Sequence, residues 1–272
     1  MHAQCSWVAR SKTYIGEVLK RAPIVFVVAM GLWCPLPGSA QSVHLRICNE
    51  DADNFPYLVK GGQGLDNQQL NLAAKRSGIV LTQVALPWKR CFKELQEGAV
   101  DGVAAASFSE ERAVFAQYPM TKNGDLDVSL RLRNDSYSLF RPKDGVAGWD
   151  GKRFVQLAVP IGTQLGYSVA GDLRKAGVSV DATYYDAKHL MGQLALGRLQ
   201  MAAMLTKEGD ALLVRPEFAG KIERISPAFV EKPYFVIFSK RFYAQNKKAV
   251  EQFWGSVAAV RETTEVESGR KR

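Results

Sequence analysis

Between residues 43 and 205 the chain repeats one unit: an apolar strand, an amphipathic helix closed by a glycine, and a further strand. Val43–Cys48 alternates apolar and polar residues, the period of a half-buried strand. Asp66–Ser77 predicts a helix with Leu70, Ala73, Ala74 and Ser77 on one side and Gly78 just past its end. Ile79–Leu86 is a second strand. Trp88–Glu97 is a second helix, with Phe92 and Leu95 inward and Gly98 as its stop, and Val100–Ala105 is a third strand. From Leu157 the pattern begins again: strand Leu157–Ile161, helix Thr163–Ala176 before Gly177, strand Val178–Tyr185, helix Ala187–Leu196 before Gly197, and strand Leu199–Leu205. Strand–helix alternation of this kind predicts parallel pairing. A local alignment strengthens the repeat, because Leu95 to Gly98 followed by Val100 matches Leu194 to Gly197 followed by Leu199.

Two similar α/β lobes follow from that order. Asp127–Pro142, which alternates Val128, Leu130 and Leu132 and then Tyr137 and Leu139, lies between them as an extended hairpin or a crossing strand. Late in the chain, Pro233–Ser239 is one more apolar strand. Lys248–Val260 places Val250, Phe253, Trp254 and Val257 at helical spacing. These late elements return to the first lobe, so the chain crosses twice. The expected division is 41–133 plus 236–272 for the first lobe and 134–235 for the second. Two crossing strands make a hinge, and the cleft between two lobes is a preferred ligand site.

The first 40 residues stand apart. Arg10, Lys12, Lys20 and Arg21 face only Glu17, an apolar run follows between Pro23 and Cys34, and Pro35 to Gln41 carries prolines and small residues. This is the pattern of a secretory signal peptide cleaved after Ala40. The apolar run is short of the roughly 20 residues that span a bilayer, which weighs against an uncleaved anchor. The formal charge of +9 becomes +6 once the leader is removed. Of four cysteines, Cys48 and Cys91 remain in a chain bound for an oxidising compartment. A disulfide between them is expected, two buried thiols being the alternative.

Three segments can carry chemistry. The first runs from Ala104 and Ala105 through Ser107 to Arg112, at the C-terminal end of a parallel strand, where ligands of open α/β sheets bind. Ser109 can cap a helix whose first turn holds Glu110 and Glu111, and Arg112 can fork onto a carboxylate with Ser107 beside it. The alternative is a capped surface helix with a solvated arginine. The second segment is Pro160 to Gln164. Gly162 permits close backbone approach there, and Thr163 opens a helix whose free N–H groups can hold an anion. The third is the loop Glu50–Tyr57, whose acids can meet a cation and whose Phe55 or Tyr57 can stack on a ligand; Asp53 is equally well read as solvated. Trp88 follows a strand end and either lines the cleft or joins the core.

Enzyme and cofactor signatures are thin. The mature chain holds only His44 and His189, on separate elements, and no metalloprotease, nucleophile-elbow, P-loop or EF-hand spacing occurs. No cofactor and no metal are expected. The positive charge is dispersed, so nucleic acid is not an expected partner.

In order and spacing, Gly64 to Asp66, Leu95 to Gly102, Ser109 to Arg112, Tyr118-Pro119, Trp149 to Phe154, Pro160 to Thr163, Gly197 to Gln200 and Lys232 to Lys240 resemble the family 3 periplasmic solute-binding proteins. These are the polar amino acid receptors of ABC importers. The resemblance spans essentially the whole mature chain. It implies an α/β, two-lobed Venus-flytrap fold (the type II periplasmic-binding-protein arrangement) that closes on a small polar solute as a monomer and presents it to an ABC transporter permease. It also implies that Arg112 and Ser107 take the ligand's carboxylate with help from Thr163, and that an aromatic near Tyr57 sandwiches its side chain. The sequence departs from the family at Gln200 and Leu205, where the family has aspartates, the second holding the ligand's ammonium. Either a shifted acid such as Glu208 or Asp210 replaces the second, or the ligand is not an ordinary α-amino acid. The runner-up readings are a periplasmic dehydratase on the same fold, with Glu50 or Glu208 as proton-transfer group, and a sensor-linked binding protein.

Overall fold

The computed structural model describes residues 42–59 and 61–270. The expected leader, residues 1–40, lies outside them. In chain order the elements are β1 His44–Glu50, α1 Leu65–Ser77, β2 Val80–Leu86, α2 Trp88–Glu97, β3 Gly102–Ser107, α3 Glu110–Ala113, β4 Ala116–Gln117, β5 Arg133–Pro142, β6 Gly148–Trp149, β7 Phe154–Val155, β8 Ile161–Gln164, α4 Val169–Lys175, β9 Val180–Tyr184, α5 Ala187–Ala195, β10 Ala202–Leu205, α6 Thr206–Leu213, β11 Ile222–Ser239 and α7 Lys240–Arg270. A continuous sheet runs in the order β2-β1-β3-β11-β5-β10-β8-β9. Its two ends are parallel and mirror each other: β1 lies between β2 and β3, and β8 lies between β9 and β10. The middle is antiparallel, where β11 pairs with both β3 and β5. The two long strands β5 and β11 thus join two lobes of like construction.

Side-chain alternation explains the layers. In the first lobe Leu45 and Ile47 of β1 face α1 and the C-terminal helix, with Leu70, Val250, Phe253 and Trp254. Cys48 points the other way, into the core under α2 with Cys91 and Leu95. The end of β11 reads as an unbroken apolar run because both faces are covered. Val236 and Phe238 join the α1–α7 core while Phe235 and Ile237 join the α2 core. The second lobe repeats the scheme on β10: Ala202 and Met204 pack with Leu190 and Leu194 of α5, Ala203 and Leu205 with Val169 and Leu173 of α4. Gly78 and Gly98 follow α1 and α2 in the left-handed region, as expected of helix stops. Cys48 and Cys91 form a disulfide, with Cα atoms 5.5 Å apart.

Four sequence expectations are corrected. The strand expected at Leu157–Ile161 is β8, Ile161–Gln164. Pro160 has no N–H to give to a central ladder, so pairing begins after it. The helix expected from Thr163 starts at Val169, because Leu165 still donates to the Tyr184 carbonyl and Gly166 then turns the chain at φ 81°. The last strand starts at Ile222 rather than Pro233, and the last helix at Lys240 rather than Lys248 with a kink at Asn246. The early part of β11 is largely solvent-facing, so it carries no apolar run to read.

Candidate functional site

The site grows from the C-terminal end of β3. Ala105, with φ of 55°, sits where the β3–β11 register shifts, and this bulge turns the following residues toward the second lobe. Ser109 then caps α3, its hydroxyl accepting from the Arg112 N–H at 3.3 Å, as expected. That short helix returns the Arg112 side chain inward, 6% exposed. Its guanidinium donates to the Ser107 carbonyl at 2.8 Å and, across the cleft, to the Gly166 carbonyl at 2.9 Å. It lies over the Phe92 ring at 4.6 Å and the Trp88 ring at 5.5 Å. The solvated alternative for Arg112 is therefore excluded.

An interlobe cavity of about 20 Å³ lies beside it, with Glu50, Trp88, Ala105, Ser107 and Arg112 from one lobe and Tyr137, Tyr167, Ser168 and Leu205 from the other. Side chains of the two lobes meet around it. The Tyr167 phenol donates to Glu50 at 2.5 Å, the Ser107 and Ser168 hydroxyls are 2.7 Å apart, and Lys207 donates to the Tyr57 phenol at 2.7 Å. Tyr167 lines the gap, its ring set edge-on to Trp88 and Tyr137. So little space holds about one water.

Two buried acids face this interface. Burial pushes the Glu50 carboxyl up to about 7; the Tyr167 hydrogen bond opposes this, and Asp51 and Asp186 add to it. Burial also raises Glu208 well above the usual carboxylate range, with Glu50 contributing and the Gln164 hydrogen bond opposing. Glu208 accepts from the Gln164 amide at 3.4 Å and opens onto a groove of about 330 Å³ with Asp51, Phe55, Tyr185 and Asp186. Asp210 is elsewhere, paired with Arg224 at 3.0 Å.

Of the expected site residues, the structure brings Glu50, Trp88, Ala105, Ser107 and Arg112 together at the cavity, with Glu208 behind them. Three are placed otherwise. Thr163 is a strand residue whose hydroxyl donates to the Ala203 carbonyl at 3.1 Å, so it caps no helix. Gly162 packs against α5 and the residues after it: a Cβ there would stand 2.8 Å from Leu190 Cδ1 and 2.7 Å from Leu199 Cδ1. The Tyr57 ring lies against the Arg133 guanidinium, 3.5 Å from its centroid.

Sequence reasoning missed Tyr167, Ser168 and Arg133. The first two fell inside a helix expected to begin too early, and the Gly166 turn was their only signal. Arg133 opens β5, lines the cavity, and binds Asp66 at 3.1 Å and Asp135 at 2.8 Å while lying between Tyr57 and Tyr234. All three charged groups are at most 8% exposed at the side chain, so this is a buried ionic knot at the hinge. Its partners lie far apart in sequence, which hid it.

No protein-family profile matches the sequence, and no curated protein matches it. Solved structures do. A histidine kinase sensor domain described as similar to periplasmic binding proteins aligns at TM-score 0.66 with 16% identity, over 85% of this chain and 95% of that one. The GluR0 ligand-binding core from Nostoc punctiforme in complex with L-glutamate aligns at 0.62 and 14%, over 82% and 96%. An amino acid ABC transporter substrate-binding protein from Streptococcus pneumoniae bound to L-arginine aligns at 0.62 and 16%, over 83% and 92%. At these identities the likeness speaks for the fold: this chain has the two-lobed fold shared by periplasmic solute-binding proteins and by sensor domains built like them.

Proposed function

We propose that this chain is a periplasmic receptor for a small polar, carboxylate-bearing, amino-acid-like solute. It closes its lobes, 41–133 plus 236–272 and 134–235, around the solute and delivers it as a monomer to an ABC permease. The observation that carries this reading is the position of Arg112. Its guanidinium stands in the wall of the interlobe cavity and is held by one backbone carbonyl from each lobe. A ligand carboxylate is a stronger, charge-assisted partner than a carbonyl and takes the place of Gly166 when the lobes re-close. Burial keeps Glu50 and Glu208 protonated in the solute-free interface, and an ammonium entering there draws them into the ionised form, which supplies the role left open at Leu205. Ligand contacts from both lobes then favour the closed state, which the permease reads. Neighbours of the same fold that hold L-glutamate and L-arginine support the solute class. Among the described residues no helix is long and apolar enough to cross a membrane.

The test is a thermal-shift panel of amino acids, amines and organic acids. A bound solute at about 100 Kd adds roughly 2.7 kcal/mol, and Arg112→Ala is expected to remove the shift. A shift that survives in Arg112→Ala, or turnover of prephenate, would overturn the reading. The likeness to a histidine kinase sensor domain favours a second reading, in which the same closure is reported to a signalling partner.

A further inference from the structure

We propose that the interface between the lobes is a proton-operated latch: the chain closes upon its own Tyr167 when Glu50 and Glu208 are protonated, and the lobes part when these carboxyls ionise. Nothing in this depends on which solute the cleft receives.

The geometry starts from what faces the two acids. Glu50 ends β1 in the first lobe and is 8% exposed; Glu208 lies in α6 of the second and is 4% exposed. The donors that reach them are neutral, the Tyr167 phenol for Glu50 and the Gln164 amide for Glu208. The charges that reach them are acidic: Asp51 from the adjoining loop and Asp186 before α5 act on Glu50, while Glu50, Asp135 and Asp186 act on Glu208. The nearby cations are engaged elsewhere. Arg133 holds Asp66 and Asp135, Arg112 holds the Ser107 and Gly166 carbonyls, and Lys207 bonds Tyr57. In the groove beside Glu208 stand Lys188, which pairs with Glu217 at 3.4 Å, and Arg215, whose charge also acts on Glu217. Two buried carboxylates whose hydrogen-bond donors are neutral repel each other and lose hydration. Protonation removes both costs. It also suits Gln164, whose buried Oε1 has no donor and can accept from a carboxylic acid once the amide turns over.

Opening the lobes returns both groups to water, where a glutamate ionises near its ordinary value. The closed state therefore binds more protons than the open one, and lowering the pH favours closure. Glu50 alone, pushed up to about 7 when enclosed, changes the closed-to-open ratio about tenfold between pH 8 and pH 6. Tyr167 supplies the contact that closes the interface without a solute, because its ring meets Trp88 of the first lobe edge-on and its hydroxyl reaches Glu50.

Small-angle X-ray scattering of the solute-free protein at pH 5.5 and pH 8 tests this. The wild-type radius of gyration is expected to be smaller at pH 5.5. Glu50→Gln and Glu208→Gln should each weaken the difference, and the double variant should stay compact at pH 8, with folding checked by circular dichroism. An unchanged wild-type radius, expansion at the lower pH, or an undiminished difference in either the single variants or the double would overturn the latch. A protein that binds no solute yet compacts at low pH would sink the receptor reading and leave the latch standing.

Discussion

The Tyr167 phenol donates a 2.5 Å hydrogen bond to the Glu50 carboxyl group, joining residues 117 positions apart from opposite lobes. One end is a strand terminus that the sequence marks plainly. The other is a turn residue whose place depends on where β8 ends. The pair sits in a gap of about 20 Å³ beside Arg112, so the enclosed acid and the Arg112 guanidinium share one interface.

Burial of Glu50 makes stability depend on pH in an unusual sense for a carboxylate. The folded form binds its proton up to about 7, whereas the unfolded chain releases it near 4.5. The contribution of Glu50 to stability is then fully present below about 4.5 and is lost as pH rises through 7, about 3 kcal/mol in all. Lobe opening offers a way to ionise without unfolding and keeps the loss below that figure. Urea unfolding at pH 5 and pH 7.5 is expected to show the decline, and Glu50→Gln to flatten it.

Arg112→Lys is predicted to behave like Arg112→Ala toward a solute. An ammonium cannot span the Ser107 and Gly166 carbonyls or lie flat over Phe92 and Trp88 as the guanidinium does. Calorimetric titration with whichever solute the panel identifies should show at least a tenfold weaker affinity for both variants.

The Cys48–Cys91 disulfide ties β1 to α2 across 43 residues. Replacing both cysteines by serine is expected to cost about 2–4 kcal/mol. Both positions are fully buried, so the serine hydroxyls add to the loss. A melting temperature unchanged by the double substitution would contradict this.

Arg133→Met leaves Asp66 and Asp135 enclosed without their cation and removes the stack on Tyr57. Breaking such a buried pair costs about 3–5 kcal/mol. Denaturant titration should record that loss, with Asp66→Asn losing less because Asp135 still holds the arginine.

Gly162→Ala separates packing from binding. The added methyl meets Leu190 and Leu199, and overpacking of this kind costs about 1–3 kcal/mol. Thermal melts should show the loss, while solute affinity stays within about twofold because the position faces α5 rather than the cavity.

What the sequence by itself determined was local. Alternation placed Leu45 and Ile47 inward on β1, glycine stops ended α1 and α2, and Ser109 capped the turn that carries Arg112. Each depends on neighbours within a few residues, so each was legible. The repeat of strand and helix likewise foretold two like lobes. Where β8 ends was not legible, because Thr163 and Gln164 are polar and yet buried; their partners, the Ala203 carbonyl and Glu208, lie about 40 residues away. That one shift of a strand end moved Thr163 and Gly162 out of the site and put Tyr167 and Ser168 into it. The hinge knot of Arg133 with Asp66 and Asp135, and the enclosure of Glu50 against Tyr167, were decided only in three dimensions. Burial of charge depends on which groups meet across the lobes, and no local pattern in the chain encodes that meeting.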